Sequence, residues 1–270
     1  MPAARSAVHA SPKLTRATPF VAVNAQAGAA PLYRLAKRAL LQALEGGRYA
    51  PGQALPNESA LAAALAVSVG TLRHAVDELV AEHILVRRQG RGTFVATHSA
   101  DRFLFQFFHV ERRDGLREVP AVELLAFERN RCGEEAAQAL GMREGEPVIE
   151  VHNLLRLQGR PVVFDRLTLP ASLFRGLTEK RWRERPGTIY QLYQSEFAIT
   201  VLRALERGRA VAADRAAARA LGLAPGAPAL QVRRTALTFG ERVVEYRVST
   251  IDTAQHDYVH LLSRPDGDAR

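Results

Sequence analysis

The 270-residue chain is poor in the residues that mark several protein classes. It has a single cysteine, Cys132, so it cannot form an internal disulfide, which is typical of a reducing compartment. No apolar run approaches the roughly 20 residues that span a bilayer. Hydrophobic residues nevertheless make up 47% of the chain, which indicates a globular fold. We therefore expect a cytoplasmic protein of one large or two ordinary domains, with no membrane partner.

The sequence also lacks the short motifs of common catalytic and metal sites. It contains no phosphate-binding glycine loop, no metal-ligand spacing and no Gly-x-Ser-x-Gly nucleophile motif. Cys132 has no histidine near it in the sequence and is interpreted as an inert buried thiol. These absences predict no catalytic residue, no metal ion and no cofactor.

Positive charge exceeds negative charge, and the formal net charge is +9. This balance permits a nucleic-acid or other anionic partner without proving one. Residues 1–30 contain three basic residues and no acid. Ala25-Gln26-Ala27 resembles a signal-peptide cleavage site, but the apolar stretch from Phe20 to Val23 is too short to precede one. We predict that residues 1–30 form a disordered basic tail.

Three helices are predicted in the part that follows. Residues 32–45 place their apolar side chains on one stripe of an amphipathic helix, which Gly46-Gly47 ends. Asn57 is suited to cap a short second helix, and Ser68 is suited to cap a third one. Three short helices separated by tight breaks are typical of a helix-turn-helix protein.

The stretch RRQGRGTFV, residues 87–95, comes directly after these helices. Glycine supplies the positive φ that a tight turn needs, so Gln89 to Gly92 are predicted as the turn of a hairpin. Helices followed by such a hairpin predict a winged helix-turn-helix. Arg91 at the tip of the wing is then suited to enter a DNA groove, and Arg87 and Arg88 are suited to reach phosphates. A solvated basic hairpin without a partner is the alternative.

The second half of the chain contains an internal repeat. Residues 136–151 match a stretch within residues 216–232 at an offset of 81, and the match extends to Arg166 and Arg247. Each copy indicates a helix, a Gly-x-x-x-Gly-x-Pro loop, a strand, a glycine turn and a second strand. Two such copies predict a pseudo-symmetric α+β domain whose hairpins share a central antiparallel sheet, with a ligand site between the repeats.

Both halves resemble known families. The segments PLYRLAKRAL, GGRYAPGQALPNESALAAAL and VSVGTLRHAVDELVAEHILVRRQGRGTFV, within residues 31–95, resemble a GntR-family DNA-binding domain. The segments GRPVVFDRLTLP, GTIYQLY, AADRAAARALGLAPGAPAL and ERVVEYRVSTID, within residues 159–252, resemble the UTRA effector-binding domain of HutC-type members. The UTRA fold is similar to that of chorismate lyase.

The resemblance implies a bacterial, dimeric transcription regulator whose operator affinity is altered by a small molecule bound to the UTRA domain. One short helix reads few base pairs, so we expect a two-fold dimer on an inverted-repeat operator in double-stranded DNA. We expect the effector to be a small organic anion or a polar metabolite. We divide the chain accordingly into five segments: the tail 1–30, the winged helix-turn-helix 31–97, a hinge 98–101, the UTRA domain 102–262 and a C-terminal tail 263–270.

The chain departs from the family pattern at several positions. Asn57-Glu58-Ser59 stands where Ser-Glu-Arg is usual, and Val69 stands where arginine is frequent. Two common DNA contacts are therefore absent. The strand at residues 152–156 lacks the paired arginines of relatives that grip sugar phosphates, which disfavours bidentate phosphate binding.

The expected DNA contacts come from the start of the third helix and from the wing. An exposed helix charge close to Asp77 is the alternative role for Arg73. The expected set is Asn57, Ser68, Gly70, Thr71, Arg73, His74, Arg87, Arg88, Gln89, Gly90, Arg91 and Gly92.

The expected effector contacts lie on the strands and helices of the UTRA domain, and Glu245→Gln is expected to spare folding. In the alternative interpretation, Asp165 and Arg166 pair on one sheet face and Tyr190 is a core aromatic residue. Trp182 is interpreted as a packing residue on a charged surface helix. The expected set is Gln106, Arg156, Arg166, Tyr190, Glu245 and Arg247.

Two other functions remain open at this point. The UTRA resemblance alone would fit a chorismate-lyase-like enzyme. The basic wing alone would fit a DNA-binding protein that ignores sequence, with a steep salt dependence. The sequence leaves open the effector, the operator and the choice between repression and activation.

Overall fold

The computed structural model describes residues 30–99, 102 and 106–260. The predicted C-terminal tail lies outside the described residues, and so does the predicted basic tail apart from Ala30. The chain divides after Val95 into two compact units, so residues 98 and 99 of the predicted hinge belong to the second unit. The other two hinge residues, 100 and 101, lie outside the described residues.

Three helices build the first unit: α1 (Leu32–Glu45), α2 (Glu58–Leu65) and α3 (Val69–Ala81). As predicted, the side chains of Asn57 and Ser68 cap α2 and α3 by accepting hydrogen bonds from backbone N–H groups. Each such cap stabilises a helix by ~1 kcal/mol. The axes of α2 and α3 are bent by 108° across the break between them, which is the geometry of a helix-turn-helix.

The amphipathic stripe of α1 faces the core of this unit, where Ala36 and Leu40 are buried. Lys37 donates to Glu78 at 2.6 Å and to Glu82 at 2.5 Å, which ties α1 to α3. In the described part of the chain, no single helix is long and apolar enough to cross a membrane. Helices α2 and α3 reach that length and composition only as a bent pair.

The predicted wing is a hairpin of β1 (Leu85–Arg88) and β2 (Gly92–Val95). Gly90 and Gly92 have φ values of 68° and 102°, which side chains other than hydrogen rarely permit, so the turn depends on both glycines. A bridge from Ala54 to Phe94 adds the loop before α2 to the hairpin. The first unit is therefore a winged helix-turn-helix.

The second unit is built on a six-stranded antiparallel sheet with the order β4-β5-β6-β9-β8-β7. A separate two-stranded sheet pairs β3 with β10. The strands are β3 (Val110–Arg112), β4 (Ala121–Arg131), β5 (Pro147–Leu157), β6 (Arg160–Pro170), β7 (Arg203–Ala212), β8 (Pro228–Leu237), β9 (Val243–Ile251) and β10 (His256–Tyr258).

Within residues 106–260, four α-helices accompany this sheet: α4 (Glu134–Leu140), α5 (Glu179–Arg183), α6 (Ile189–Phe197) and α7 (Arg215–Leu221). The units β4-α4-β5-β6 and β7-α7-β8-β9 are the two copies of the predicted repeat. Strands β6 and β9 meet in the middle of the sheet. The repeat prediction is confirmed, although the strand that opens each copy was not predicted.

The register corrects one detail of the repeat. Asn153 pairs with Asp165 in the first hairpin, whereas Arg234, its counterpart 81 residues later, pairs with Arg247 in the second. The structural counterpart of Arg247 is therefore Asp165. The sequence match, which assigned Arg166 to that position, is wrong because the longer turn of the second hairpin shifts β9 by one residue.

The two faces of the sheet differ in what covers them. The inner face carries Val151, Leu167 and Val232, which belong to the main core together with residues of α6. The outer face carries Leu154 and Phe164, which pack against α7. Because side chains alternate along a strand, neighbouring residues of β4 to β9 point to opposite faces of the sheet outside the β-bulges.

Candidate DNA-binding surface and effector site

The start of α3 presents the residues expected at a base edge. Ser68 accepts a hydrogen bond from the Thr71 amide at 3.1 Å, and its Oγ lies 2.8 Å from the Thr71 hydroxyl. Gly70 and the Arg73 side chain are exposed on the same turns. Asn57, by contrast, directs its side-chain oxygen to the Ala60 amide at 2.8 Å, so that oxygen is occupied by capping.

Two of the expected DNA-binding arginines are held by acidic residues. Arg73 Nε lies 2.9 Å from Glu58, and Arg87 lies 3.4 Å from the same carboxylate. Arg87 also pairs with Asp77 at 2.5 Å. The sequence-based alternative placed Arg73 close to Asp77, but Asp77 forms its ion pair with Arg87. Both arginines are partly exposed, so the pairs compete with solvent and with any phosphate.

The remaining wing residues are more accessible. Arg88 stacks on Phe94, with its guanidinium carbon 4.6 Å from the ring centroid. Gln89, Gly90, Arg91 and Gly92 are exposed in the turn. Among the described residues, Arg91 has no ion-pair partner. His74 packs edge-on against Tyr33 at 4.2 Å and lies 3.7 Å from Glu78.

In the second unit, polar residues occupy inward positions on five neighbouring strands, where apolar residues would be expected. They form a row across the inner face of the sheet. In strand order from β5 to β7 the row contains Asn153, Asp165, Ser249, Arg247, Glu245, Arg234 and Glu206.

Glu245 is the centre of this row and is fully buried. It accepts hydrogen bonds from the Tyr190 hydroxyl at 3.3 Å and the Tyr193 hydroxyl at 2.6 Å. Arg247 donates to Glu245 from Nε at 2.9 Å and to Asp165 from Nη1 at 3.2 Å. Burial and the nearby Glu245 carboxylate raise the pKa of Tyr190 to about 12, so its hydroxyl stays protonated and donates.

Residues of α5 contact the Asn153 end of this row. Trp182 is fully buried and donates its indole N–H to Asn153 Oδ1 at 3.2 Å. Trp182 is thus a packing residue of a short charged helix, as predicted. Within the described residues, Asn153 Nδ2 and Arg185 Nε are buried without a hydrogen-bond partner.

A cavity of about 490 Å³ lies over the inner face of β7 and β8. Phe107, Ala204, Leu230 and Val232 supply apolar walls, and further residues come from the segment just before β3 and from the end of β10. Its polar lining consists of Gln106, His109, Arg203, Glu206, Arg234, Tyr258 and His260.

The two buried charges of the cavity wall, Arg234 and Glu206, cancel one another, while Arg203 is exposed and pairs with Glu241. Arg234 donates to Glu206 at 2.5 Å and also to the Phe107 carbonyl, while Tyr258 donates its hydroxyl to Glu206. Burial lowers the pKa of His109 to about 4, only partly opposed by Glu206, so this imidazole is neutral near pH 7. The wall therefore offers hydrogen bonds rather than an excess of either charge.

Arg102 places a cation behind Gln106, one side chain away from the cavity lining. It donates from Nε to Gln106 at 2.7 Å, and Gln106 in turn donates to the Leu202 carbonyl at 3.2 Å. Both terminal nitrogens of Arg102 are buried, and neither has a hydrogen-bond partner among the described residues. Burial lowers its pKa only to about 10, so the guanidinium stays charged. A buried cation without a partner is costly, so an anion in this place would be stabilised.

The structure brings together four of the six expected effector contacts. Gln106 lines the cavity. Glu245 and Arg247 belong to the buried polar row beside it, and Tyr190 of α6 donates to Glu245 in that row. Arg156 pairs instead with Glu123 at 3.1 Å near the end of the sheet.

Arg166 is also separated from this group. It pairs with Asp214 at 3.1 Å on the outer face. Adjacent residues of a strand face opposite sides, so the alternative pairing of Asp165 with Arg166 on one face is wrong. Asp165 instead joins Arg247 on the inner face.

Several residues of the site were not found from the sequence, among them Arg234, Glu206 and Arg102. Arg234 and Glu206 stand at alternate positions of β-prone segments, where an inward charge is unexpected. The repeat offered a signal for Arg234 alone, since Arg234 occupies the position of the polar Asn153 in the first copy.

Comparison with known proteins decides the family. Residues 32–95 match the model of bacterial regulatory proteins of the gntR family, and residues 116–257 match the UTRA domain. The chain belongs to the GntR family and carries a UTRA domain. This family consists of transcription regulators controlled by effector binding, so the enzyme alternative is excluded.

Individual relatives agree with this assignment. The chain is 35% identical to the histidine utilization repressor of Pseudomonas putida over 129 residues, which cover 47% of this chain and 51% of that repressor. It is 25% identical over 237 residues to the transcriptional repressor NagR of Bacillus subtilis, covering 87% and 96% of the two chains. The chain therefore spans about half of the first repressor and nearly all of the second.

A solved structure resembles the second unit. It is the ligand-binding domain of a GntR-family transcriptional regulator from Bordetella bronchiseptica, with a TM-score of 0.55 and 34% sequence identity. The match covers 59% of this chain and 99% of that domain.

Proposed function

We propose that this GntR-family regulator changes its operator affinity when a small carboxylate occupies the cavity over β7 and β8. The observation that supports this most directly is the buried Arg102 guanidinium, whose two terminal nitrogens lack partners in the described part of the chain. An anionic group there would offset the cost of the buried charge. Because the protein acts on bacterial DNA, we place it in the cytoplasm.

The other residues that line the cavity indicate the charge and the polarity of the ligand. Arg234 and Glu206 already neutralise one another, so a single carboxylate beside Arg102 fits the charge better than a dianionic phosphate. The amide of Gln106 and the neutral imidazole of His109 suit a polar substituent, while Leu230 and Val232 suit an apolar one. We expect an organic acid with hydrogen-bonding groups and an apolar portion.

A calorimetric screen of small carboxylic acids against their primary amides tests this class. The wild-type chain should bind one acid and reject its amide. Arg102→Gln should weaken binding of that acid at least 10-fold, whereas Arg183→Gln should not, because Arg183 is exposed on α5, pairs with Glu179 and is not among the residues that line the cavity. Equal binding of acid and amide, or unchanged binding by Arg102→Gln, would refute the carboxylate assignment.

For the DNA side, we propose that α3 reads base edges and that the wing contacts the backbone and minor groove. Arg73 is the residue best suited to read a base, since Val69 stands where relatives often carry arginine. One short helix reads few base pairs, so we propose a two-fold dimer on an inverted repeat.

Selection of binding sites from random DNA tests the readout. The wild-type chain should recover an inverted repeat, and Arg73→Ala should lose ~1–3 kcal/mol of discrimination at one base position of each half-site. Recovery of no consensus, together with a steep salt dependence, would favour the sequence-indifferent alternative. An unchanged consensus in Arg73→Ala would remove that residue from the readout.

A further inference from the structure

The residues that follow the wing are fastened to the second unit. Gln194 of α6 accepts a hydrogen bond from the His98 amide at 3.1 Å. Its Nε2 donates to the Ala96 carbonyl at 3.3 Å and to the Thr200 hydroxyl at 3.2 Å. One buried carboxamide thus holds the chain on both sides of Thr97, immediately after the last strand of the wing ends at Val95.

His98 completes this attachment with its side chain. It is 1% exposed, and its Nε2 accepts a hydrogen bond from the Val201 amide at 3.1 Å. Burial and the nearby Arg102 lower its pKa to about 3, so the ring is neutral and carries its proton on Nδ1. The attachment therefore uses an imidazole acceptor that no protonation near pH 7 removes.

The ring of His98 also touches the walls of the effector site. Its centroid lies 5.9 Å from that of Phe107 and 5.7 Å from that of Tyr190. Phe107 lines the cavity, and Tyr190 donates to Glu245 in the buried polar row. Phe107 and Tyr190 contact one another edge-on at 4.9 Å. A movement of either ring therefore reaches the attached segment through direct contact.

We propose that His98 and Gln194 are the positioning residues that transmit occupancy of the cavity to the DNA-binding unit. They fix where the chain leaves the second unit, and an occupant that displaces Phe107 changes that exit point. This inference rests on the proposed function of the cavity as the effector site. An effector acts only through unequal binding to two conformations, and the fastened segment is the element that differs between them.

A side chain placed in the cavity serves as the probe, so no effector needs to be known. Ala204 lines the cavity, and Ala204→Phe would fill part of it. In the full-length chain, this substitution should change affinity for an operator fragment obtained by selection within the range of about 5- to 150-fold that is typical of allosteric coupling.

A second substitution, made in the chain that carries Ala204→Phe, removes the hydrogen bonds of Gln194. Gln194→Leu keeps the size of the side chain but removes all three hydrogen bonds, and it should reduce the effect of Ala204→Phe to less than 2-fold. Gln194→Glu, which still accepts from His98 but cannot donate to Ala96, should give an intermediate effect. Ser195→Ala, on the same helix and away from the segment, should leave the full effect.

Hydrogen exchange separates coupling from stability. Gln194→Leu should speed exchange of the His98 amide while exchange of the central strands of the sheet stays slow. If Ala204→Phe acts equally with and without Gln194, the transmission proposal is wrong while the cavity keeps its role. If Ala204→Phe changes nothing in the wild-type background and a carboxylate still regulates DNA binding, the cavity itself is misassigned and both proposals fall.

Discussion

A single buried carboxylate, Glu245, accepts hydrogen bonds from the hydroxyls of Tyr190 and Tyr193 and pairs with the guanidinium of Arg247. Removing one partner of such a buried pair typically costs ~3–5 kcal/mol, because the other charge is left without compensation. The sequence-based expectation that Glu245→Gln spares folding therefore has to be revised.

We now expect Glu245→Gln to lower the free energy of unfolding of the second unit by several kcal/mol, on the order of the cost above. Denaturant titration followed by circular dichroism measures this change. Glu241→Gln is the matched control, since Glu241 is exposed and its loss should shift the midpoint little. A midpoint of Glu245→Gln equal to the wild type would show that the row tolerates the missing charge.

Glu58 pairs with two arginines of the proposed DNA-binding surface, Arg73 and Arg87. Glu58→Gln should release both for phosphates or bases, so DNA affinity should rise. The slope of log affinity against log salt should steepen by about 0.9 for each additional phosphate that the released arginines neutralise. Glu45→Gln removes the same charge from the exposed end of α1 and is the control. Equal slopes for the two variants would mean that Glu58 does not compete with DNA.

The buried His98 and the partly buried His109 make the second unit sensitive to acid. The pKa of His98 is lowered to about 3 and that of His109 to about 4, in both cases mainly by burial. Below the ordinary value of 6.5 the unfolded chain binds protons that the folded chain does not, so stability is full above pH 6.5 and falls as pH decreases. Each histidine contributes a slope of ~1.4 kcal/mol per pH unit between its two pKa values. Urea titrations between pH 7 and pH 4 should show a shallower loss for His109→Gln, and an identical loss would contradict this account.

At the scale of elements, local signals predicted the first unit well. The apolar stripe of 32–45, the caps Asn57 and Ser68 and the glycines of the wing act within a few residues of themselves, and each appears as predicted. The repeat likewise predicted both hairpins of the sheet. These features depend on local backbone geometry, which a sequence pattern reports directly.

The site was less predictable because its partners are distant in sequence. His98 and Val201 are about 100 residues apart and come into contact only in the folded chain. Arg234 of β8 likewise pairs with Glu206 of the neighbouring strand β7. A charge that is buried and paired looks the same in a sequence as one that is solvated. Arg156 was assigned to the site by its position beside a glycine turn, although that position does not determine which face of the strand it occupies.

The wing is the element whose contribution can be measured separately. We predict that Arg87 and Arg88 contact phosphates and that Arg91 enters the minor groove. Arg88→Ala should reduce the slope of log affinity against log salt by about 0.9. Arg87→Ala should reduce it by the same amount, because wild-type Arg87 is expected to exchange its ion pairs for a phosphate on DNA. Arg91→Ala should weaken binding mainly at A·T-rich flanks, where the minor groove is narrow. If neither Arg87→Ala nor Arg88→Ala changes the slope, both residues are solvated charges.

At the scale of the whole molecule, we predict a dimer both in solution and on DNA. A single winged helix recognises too short a site to be specific in a genome, and an inverted repeat doubles that site. Sedimentation at micromolar concentration should give twice the chain mass of 29.6 kDa. A fragment ending near residue 97 should bind a half-site weakly and ignore the effector. The mass of a monomer, measured both for the free protein and for the protein bound to its operator, would contradict the proposed two-fold symmetry.

The pseudo-symmetric sheet has a consequence for how many ligands one chain holds. Rotation of the second repeat onto the first carries the cavity over β7 and β8 to the matching surface of β4 and β5, and Arg234 to Asn153. That matching location is occupied by the indole of Trp182, which is hydrogen-bonded to Asn153. The repeat therefore has two equivalent locations, and the Trp182 indole fills one of them. With the proposed effector cavity at the other, we expect the proposed dimer to bind two ligands rather than four.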